Sequence, residues 1–314
     1  MITHPNVKIN LGLHVLRKRE DGYHELETLF VPYFGLSDTL EITVLADRNN
    51  ECVIPDSDRG SCYFDRTPCH FNRARRASGE ISIHIDYPAG MYWDPEKDLT
   101  YRAWQLLNAD FGIPPVSIHL TKTSPVGAGL GGGSADAAFA LRMLSELFGL
   151  GLSAASLACY AAQLGSDCPF FVYNTPMMGR GRGEVLTPFS LENILGPEYE
   201  IRVVVPDGIH VSTADAYRGI VPRNLRYSSS LGTPESSQTP TPSSPTPFGE
   251  LLPLEEVLRT PIGGWKDLLV NDFEATVFAK YPALAELKAS LYRQGAIYAS
   301  MSGSGSALFG IFRK

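Results

Sequence analysis

Residues 124–144 read SPVGAGLGGGSADAAFALRML: five glycines and two serines in the first eleven positions, then an alanine- and leucine-rich helical run. No other passage narrows the choice of fold as far. Glycine loses more backbone entropy on folding than any other residue, so five of them together need a reason. Gly127, Gly129 and Gly132 satisfy G-x-G-x-x-G. As a dinucleotide turn, that pattern requires a second strand after the helix, ending in an acidic residue about 20 residues on. Here a second helical pattern, SAASLACYAAQL, follows instead, and the motif lies in mid-chain. The dinucleotide fold is excluded, as is a Walker A loop, because no Gly-Lys-Ser/Thr occurs. Packing of a tight turn accounts for one or two glycines. The remainder point to an anion site, in which bare backbone lets N–H groups approach a ligand and a helix N-terminus adds partial positive charge. A polyphosphate fits such a site.

Alternating apolar residues predict strands over 7–15 (VKINLGLHV), Leu29–Phe34, 40–45, 81–87, 116–122 and 201–207. The 7–15 run reads as half-buried. Helical spacing is found over Leu99–Asp110 and, after the glycines, at Ala137, Leu141, Leu144 and Phe148. A further helix, capped by Ser153, carries Leu157, Tyr160, Ala161 and Leu164 on one face. Helices are expected over Asp267–Phe278 and Pro282–Gln294, before a strand–glycine–strand close, AIYASMSGSGSALFGIF. Strands grouped apart from helices indicate an α+β fold. Two segments read as surface insertions: polar 46–80, with three of the five cysteines and Arg73, Arg75 and Arg76, and 226–252, which encloses a Ser/Thr/Pro-rich tract. Two domains are expected, 1–165 and 166–314.

A net charge of −7 argues against nucleic acid as a partner, since phosphate backbones demand clustered Lys and Arg. The cysteines are too few and too irregularly spaced for a disulfide framework or a Cys-x-x-Cys metal site, and Cys69-His70 lacks partners at ligand spacing. Free thiols are expected. Neither a signal peptide nor a run of about 18 apolar residues is found, so no membrane association is expected and the cytoplasm is the expected setting.

PVGAGLGGGSADAA closely resembles the phosphate loop of the GHMP kinases, the superfamily of galactokinase, homoserine kinase and mevalonate kinase. NVKINLGL near the start and MSGSGSALFGIF at the end are similar to its first and third motifs, in the expected order. VKINL, RKREDGYHELETLF and LGSDCPFF further resemble the branch that phosphorylates the 2-hydroxyl of a cytidine-diphosphate-linked methylerythritol. The resemblance implies a two-domain fold, with a first half like domain 2 of ribosomal protein S5 and a second half that is a ferredoxin-like sandwich. It implies ATP as phosphoryl donor, Mg²⁺ accompanying it, and a small-molecule cytidine diphosphate as partner.

By the same resemblance, Lys8 and Asp167 are the catalytic pair. Pro125, Val126, Gly127, Ala128, Gly129, Leu130, Gly131, Gly132, Gly133, Ser134 and Ala135 bind ATP. Asn10 contacts the erythritol hydroxyls, Tyr23 and His24 hold the cytosine, and Thr213 and Tyr217 supply a substrate contact and a second base-stacking ring. Ser134 either caps the helix or reaches Mg²⁺, with capping favoured; the metal ligands are otherwise open. Asp98-Leu99 departs from the family's Asn-Leu on the adenosine side. Rival readings are another GHMP kinase of homoserine or mevalonate type, or a non-catalytic nucleotide-binding relative; the presence of both Lys8 and Asp167 tells against the latter.

Overall fold

The structure, a computed structural model, describes residues 1–45, 81–192, 194–222 and 252–314. The expected 46–80 insertion lies outside them, as does all but the last residue of the 226–252 insertion. Three sheets organise the described chain. The first has the order β1 (Ile2–Thr3), β4 (Thr39–Val44), β6 (Val116–Thr121), β5 (Ile81–Asp86). The second runs β2 (Asn6–Lys18), β3 (His24–Ser37), β7 (Met177–Gly181), β8 (Val185–Pro188), and the third β10 (Tyr298–Met301), β11 (Leu308–Arg313), β9 (Tyr199–Val204). The helices are α1 (Leu99–Phe111), α2 (Gly132–Leu147), α3 (Ala154–Leu164), α4 (Cys168–Tyr173), α5 (Thr213–Tyr217), α6 (Leu254–Leu258), α7 (Trp265–Leu268), α8 (Phe273–Lys280) and α9 (Pro282–Arg293). As expected, Ser153 caps α3, its hydroxyl accepting from the Ser156 N–H.

The first core lies between the inner face of the first sheet and α1–α4, where Ile42, Ile118 and Leu120 meet Leu107, Leu141 and Leu144. Phe170 and Phe171 of α4 are fully buried in it. A six-residue helix is not stable alone. Burying those two rings stabilises it by about 1.5–3 kcal/mol each and thereby fixes Asp167, the residue just before it.

Strand β2 departs from the half-buried expectation: every residue from Asn6 to Leu16 is buried. Two cores share it. Val7, Ile9 and Leu11 pack with Leu130, Trp265 and Phe309, whereas Leu13 and Val15 pack with Phe273, Val277 and Leu291. The hand-over falls at a bulge between Leu11 and Leu13, where Gly12 adopts φ +74°. A Cβ there would lie 2.5 Å from the Leu254 side chain, so only glycine fits.

The helix expected over Asp267–Phe278 is split. Leu13 N–H donates to the Val270 carbonyl and Asp272 N–H donates to the Leu13 carbonyl, both at 2.9 Å. The Asn271 amide bonds the Met301 and Gly303 carbonyls at 2.8 Å each. Pairing with β2 therefore overrides helical propensity between α7 and α8. The packing of the first half also runs past residue 165, since α4 belongs to the first core and β7 pairs with β3.

Candidate active site

Gly127, Gly129 and Gly131 lie in the left-handed region, at φ +71°, +78° and +74°, and carry the chain from β6 into α2. Gly131 occupies the cap position of α2 and no side chain caps the helix. The expected capping by Ser134 is not found. Ser134 stands three residues inside the helix end and hydrogen-bonds the Cys168 thiol instead. The first-turn N–H groups of α2 are therefore left to an external acceptor.

The glycines divide into two kinds. A Cβ on Gly129 would lie 2.2 Å from the Ser302 carbonyl; on Gly132, 2.5 Å from Ser124 Oγ; on Gly131, 3.1 Å from Phe171. Gly127 and Gly133 face open space, with nothing within 4 Å. Packing thus demands more glycines than the one or two expected, and two remain as bare backbone for a ligand. The three sequence motifs converge on this loop. Lys8 N–H donates to the Leu130 carbonyl at 2.9 Å, Ala307 N–H to the Ala128 carbonyl at 3.0 Å, and Ser302 Oγ to the Gly129 carbonyl at 3.1 Å.

Alternation along β2 sends Lys8 and Asn10 away from Val7 and Ile9. Lys8 is buried; its ammonium donates to the Gly129 carbonyl at 2.8 Å and to Asn10 Oδ1, and lies 3.5 Å from Asp167 Oδ2. Burial pushes the Lys8 pKa down, and the Asp167 charge offsets only part of that. Asp167 is the more open partner, its side chain 31% exposed against 3% for Lys8. Asn10 Nδ2 donates to Thr28 Oγ1 at 3.0 Å, which donates onward to the Gly12 carbonyl at 2.6 Å, so the amide is held in one orientation.

The aromatic residues gather on the Asp167 side. The His24 and Tyr217 rings stack at 4.9 Å and 24°, and Phe273 meets Tyr217 edge-on at 4.7 Å. Burial pushes the Tyr217 phenol up to about 12, and the Asp167 charge adds to it. Burial also lowers the His24 pKa, with Lys18 contributing. His24 covers one face of Tyr217, so a base laid on that face displaces it. Tyr23 is exposed, with the Arg182 guanidinium 4.9 Å above its ring. Thr213 Oγ1 sits 3.2 Å from Ser304 Oγ. Asp98 caps α1, accepting from Thr100 N–H at 2.8 Å and from Trp93 Nε1 at 3.0 Å.

Behind the loop lies a cluster that the sequence reading missed. Lys122 is buried between Asp38, which it contacts closely, and Asp136 at 2.7 Å, with Asp38 also accepting from Thr123 and Ser124 N–H at 2.7 Å each. Burial alone would lower the Lys122 pKa, but Asp136 and Asp38 together raise it. Burial raises Asp136 to about 8; Lys122 opposes this and Asp38 reinforces it. A charged residue among Ala135, Ala137 and Ala138 was the available signal, since a buried carboxylate requires a partner. Arg182 was missed as well; only the folded β7–β8 turn brings it to Tyr23.

An uncapped helix behind a glycine loop, with an ammonium and a carboxylate at its mouth, defines a phosphotransferase of the GHMP type. Residues 98–175 match the GHMP kinases N terminal domain, and residues 254–314 match the GHMP kinases C terminal family. The chain is 40% identical to the 4-diphosphocytidyl-2-C-methyl-D-erythritol kinase of Bacteroides thetaiotaomicron, over 99% of this chain and 92% of that one. It is 42% identical to the kinase of the same name from Bacteroides fragilis, with the same coverage. A crystal structure of 4-(cytidine 5'-diphospho)-2C-methyl-D-erythritol kinase superposes with a TM-score of 0.67 at 32% identity, covering 99% of this chain and 89% of that chain. Homoserine kinase from Cytophaga hutchinsonii, at 16% identity and TM-score 0.60 over 100% and 84% of the two chains, shares the fold. The chain belongs to the 4-diphosphocytidyl-2-C-methyl-D-erythritol kinase family of GHMP kinases.

Proposed function

We propose that the protein transfers the γ-phosphoryl group of ATP to the 2-hydroxyl of 4-diphosphocytidyl-2-C-methyl-D-erythritol, a step of non-mevalonate isoprenoid precursor synthesis. The observation that carries the residue assignment is the approach of Lys8 Nζ to Asp167 Oδ2 at 3.5 Å, with Lys8 also tied to the Gly129 carbonyl of the loop. Phosphoryl transfer asks little covalent chemistry of the protein, chiefly positioning and charge stabilisation. The loop from Pro125 to Ala135 holds the phosphates, Gly127, Gly133 and the first turn of α2 offering backbone N–H groups. Asp167 accepts or orients the proton of the acceptor hydroxyl, and Lys8 keeps that carboxylate ionised and neutralises the moving phosphoryl group.

Asn10, locked by Thr28, orients the erythritol hydroxyls. Tyr23, His24 and Tyr217 hold the cytosine, stacking of a base on an aromatic ring being worth about 1–3 kcal/mol. Thr213 gives a further substrate contact. Magnesium bound with ATP would neutralise charge on its phosphate oxygens. We place the division between the two halves after Pro188, since β7 and β8 complete the sheet begun by β2 and β3. Among the described residues, no helix is long and apolar enough to cross a membrane.

The test is incubation of the pure protein with the cytidine-linked substrate and ATP-Mg²⁺, reading ADP release. No release ends the proposal. Competition by CDP but not by mevalonate separates this substrate from those of the mevalonate- and homoserine-type kinases.

A further inference from the structure

The strings ISIHID (81–86) and VSIHLT (116–121) share the tripeptide SIH, and the two strands pair in parallel with His84 opposite His119 and Asp86 opposite Thr121. Alternation turns Ile83, Ile85, Ile118 and Leu120 toward the first core and leaves His84, Asp86, His119 and Thr121 on the outer face of the sheet. There His84 Nε2 lies 3.1 Å from Asp86 Oδ1, and His119 Nε2 lies 2.8 Å from Asp86 Oδ2. The imidazoles meet edge to face at 4.9 Å, and the ligating atoms of all three residues fall within 4.8 Å of one another. Thr121 Oγ1 donates to Asp86 Oδ2 at 2.9 Å and so fixes the carboxylate.

We propose that His84, Asp86 and His119 form a surface site for a divalent transition-metal ion, distinct from the phosphate-transfer centre. Two imidazoles and one carboxylate suit zinc, copper or nickel rather than calcium or magnesium, which prefer all-oxygen shells. Both rings present the same nitrogen, Nε2, to a single carboxylate. That is the convergence a metal needs. Paired strands supply a rigid platform, and Thr121 is an outer partner that orients a ligand, the usual companion of such sites. Glu41, the register partner of His119 on β4, adds a second carboxylate to the same face. Among the described residues the three side chains are between 44% and 70% exposed, which leaves the site accessible to an ion.

Cobalt(II) titrated into the untagged full-length protein should saturate at one ion per chain, with a visible d–d band and no thiolate charge-transfer band. Zinc should displace it. His84→Ala and His119→Ala should each weaken binding at least ~100-fold and Thr121→Val about 10-fold, by analogy with ligand and outer-partner losses elsewhere. All three positions are exposed or half-exposed, so melting temperatures should be unchanged, which separates lost ligation from lost fold. Retention of the cobalt band in a His84→Ala/His119→Ala double variant, a thiolate band, or no saturable binding by the wild-type protein would each overturn the assignment. Because the readout is the metal's own spectrum, kinase turnover can succeed or fail independently of it.

Discussion

Two buried lysines, in different regions of the molecule, have been given opposite surroundings. Lys122 is enclosed by two carboxylates, and its pKa is raised although burial works against it. Lys8 has one carboxylate, at 3.5 Å and partly open to solvent, and its pKa is lowered. The first cluster is buried and internally paired, Lys122 bonding both Asp38 and Asp136, and Asp38 braces the segment that enters the glycine loop. The second is under-compensated. Its ammonium has one carboxyl group beside it where Lys122 has two, and a phosphoryl group arriving at the loop would add negative charge there. The same residue types give a raised lysine in one place and a lowered one in the other, and the carboxyl groups around each decide which.

The contrast can be broken at either end. Asp167→Asn should lower turnover by at least ~10³-fold while the melting temperature moves by only a few degrees, because the carboxylate is partly solvated and the rest of the site is intact. Near-normal turnover in steady-state assays would remove Asp167 from the mechanism. Lys122→Met should do the reverse in kind: unfolding free energy, measured in urea, should fall by about 3–5 kcal/mol, because Asp38 is left buried without its countercharge. An unchanged midpoint would show that the cluster does not brace the loop.

Smaller effects sharpen the comparison. Asp136 titrates near 8 in the folded chain and near 4 when unfolded, so between those values the native state binds more protons than the unfolded state. Stability contributed at this position is therefore lost as pH rises through that window. Asp136→Asn removes the dependence. Its melting curve should match wild type near pH 4 and exceed it above pH 8, by on the order of 1–3 kcal/mol. Equal curves at pH 9 would contradict the raised value. At Lys8, the lowered pKa means that in the free protein the ammonium is lost at a pH below that of an ordinary lysine, so the alkaline limb of kcat/KM should begin early. Lys8→Arg, which cannot lose its charge in that range, should keep only residual turnover but show no such limb. A limb that persists in the arginine variant belongs to another group.

Much of the phosphate loop was legible because its demands are local. Glycines before an alanine-rich helix announce bare backbone, and Ser153 announced a cap that the fold uses. Tertiary contacts decided the remainder. The helix anticipated over Asp267–Phe278 gives way where Val270 and Asp272 hydrogen-bond Leu13, a partner more than 250 residues away that no window of sequence displays. Ser134 looked like a cap, but a left-handed glycine had already taken that position. The stacking of His24 on Tyr217, and the reach of Arg182 to Tyr23, depend on how β3, α5 and the β7–β8 turn are brought together. The Lys122 cluster was half visible, since Asp136 stands out on an otherwise alanine face, whereas its partners come from separate strands and loops.

The contact between Gly129 and Ser302 joins positions 173 residues apart, so closely that a side chain at 129 would run into the Ser302 carbonyl. The glycine turn therefore cannot take its final shape until Ser302 has been made. Synthesis from the amino end leaves the glycine turn waiting on its last structural neighbour. A cut before Ala307 would be felt first in that turn, whose Ala128 carbonyl accepts from the Ala307 N–H.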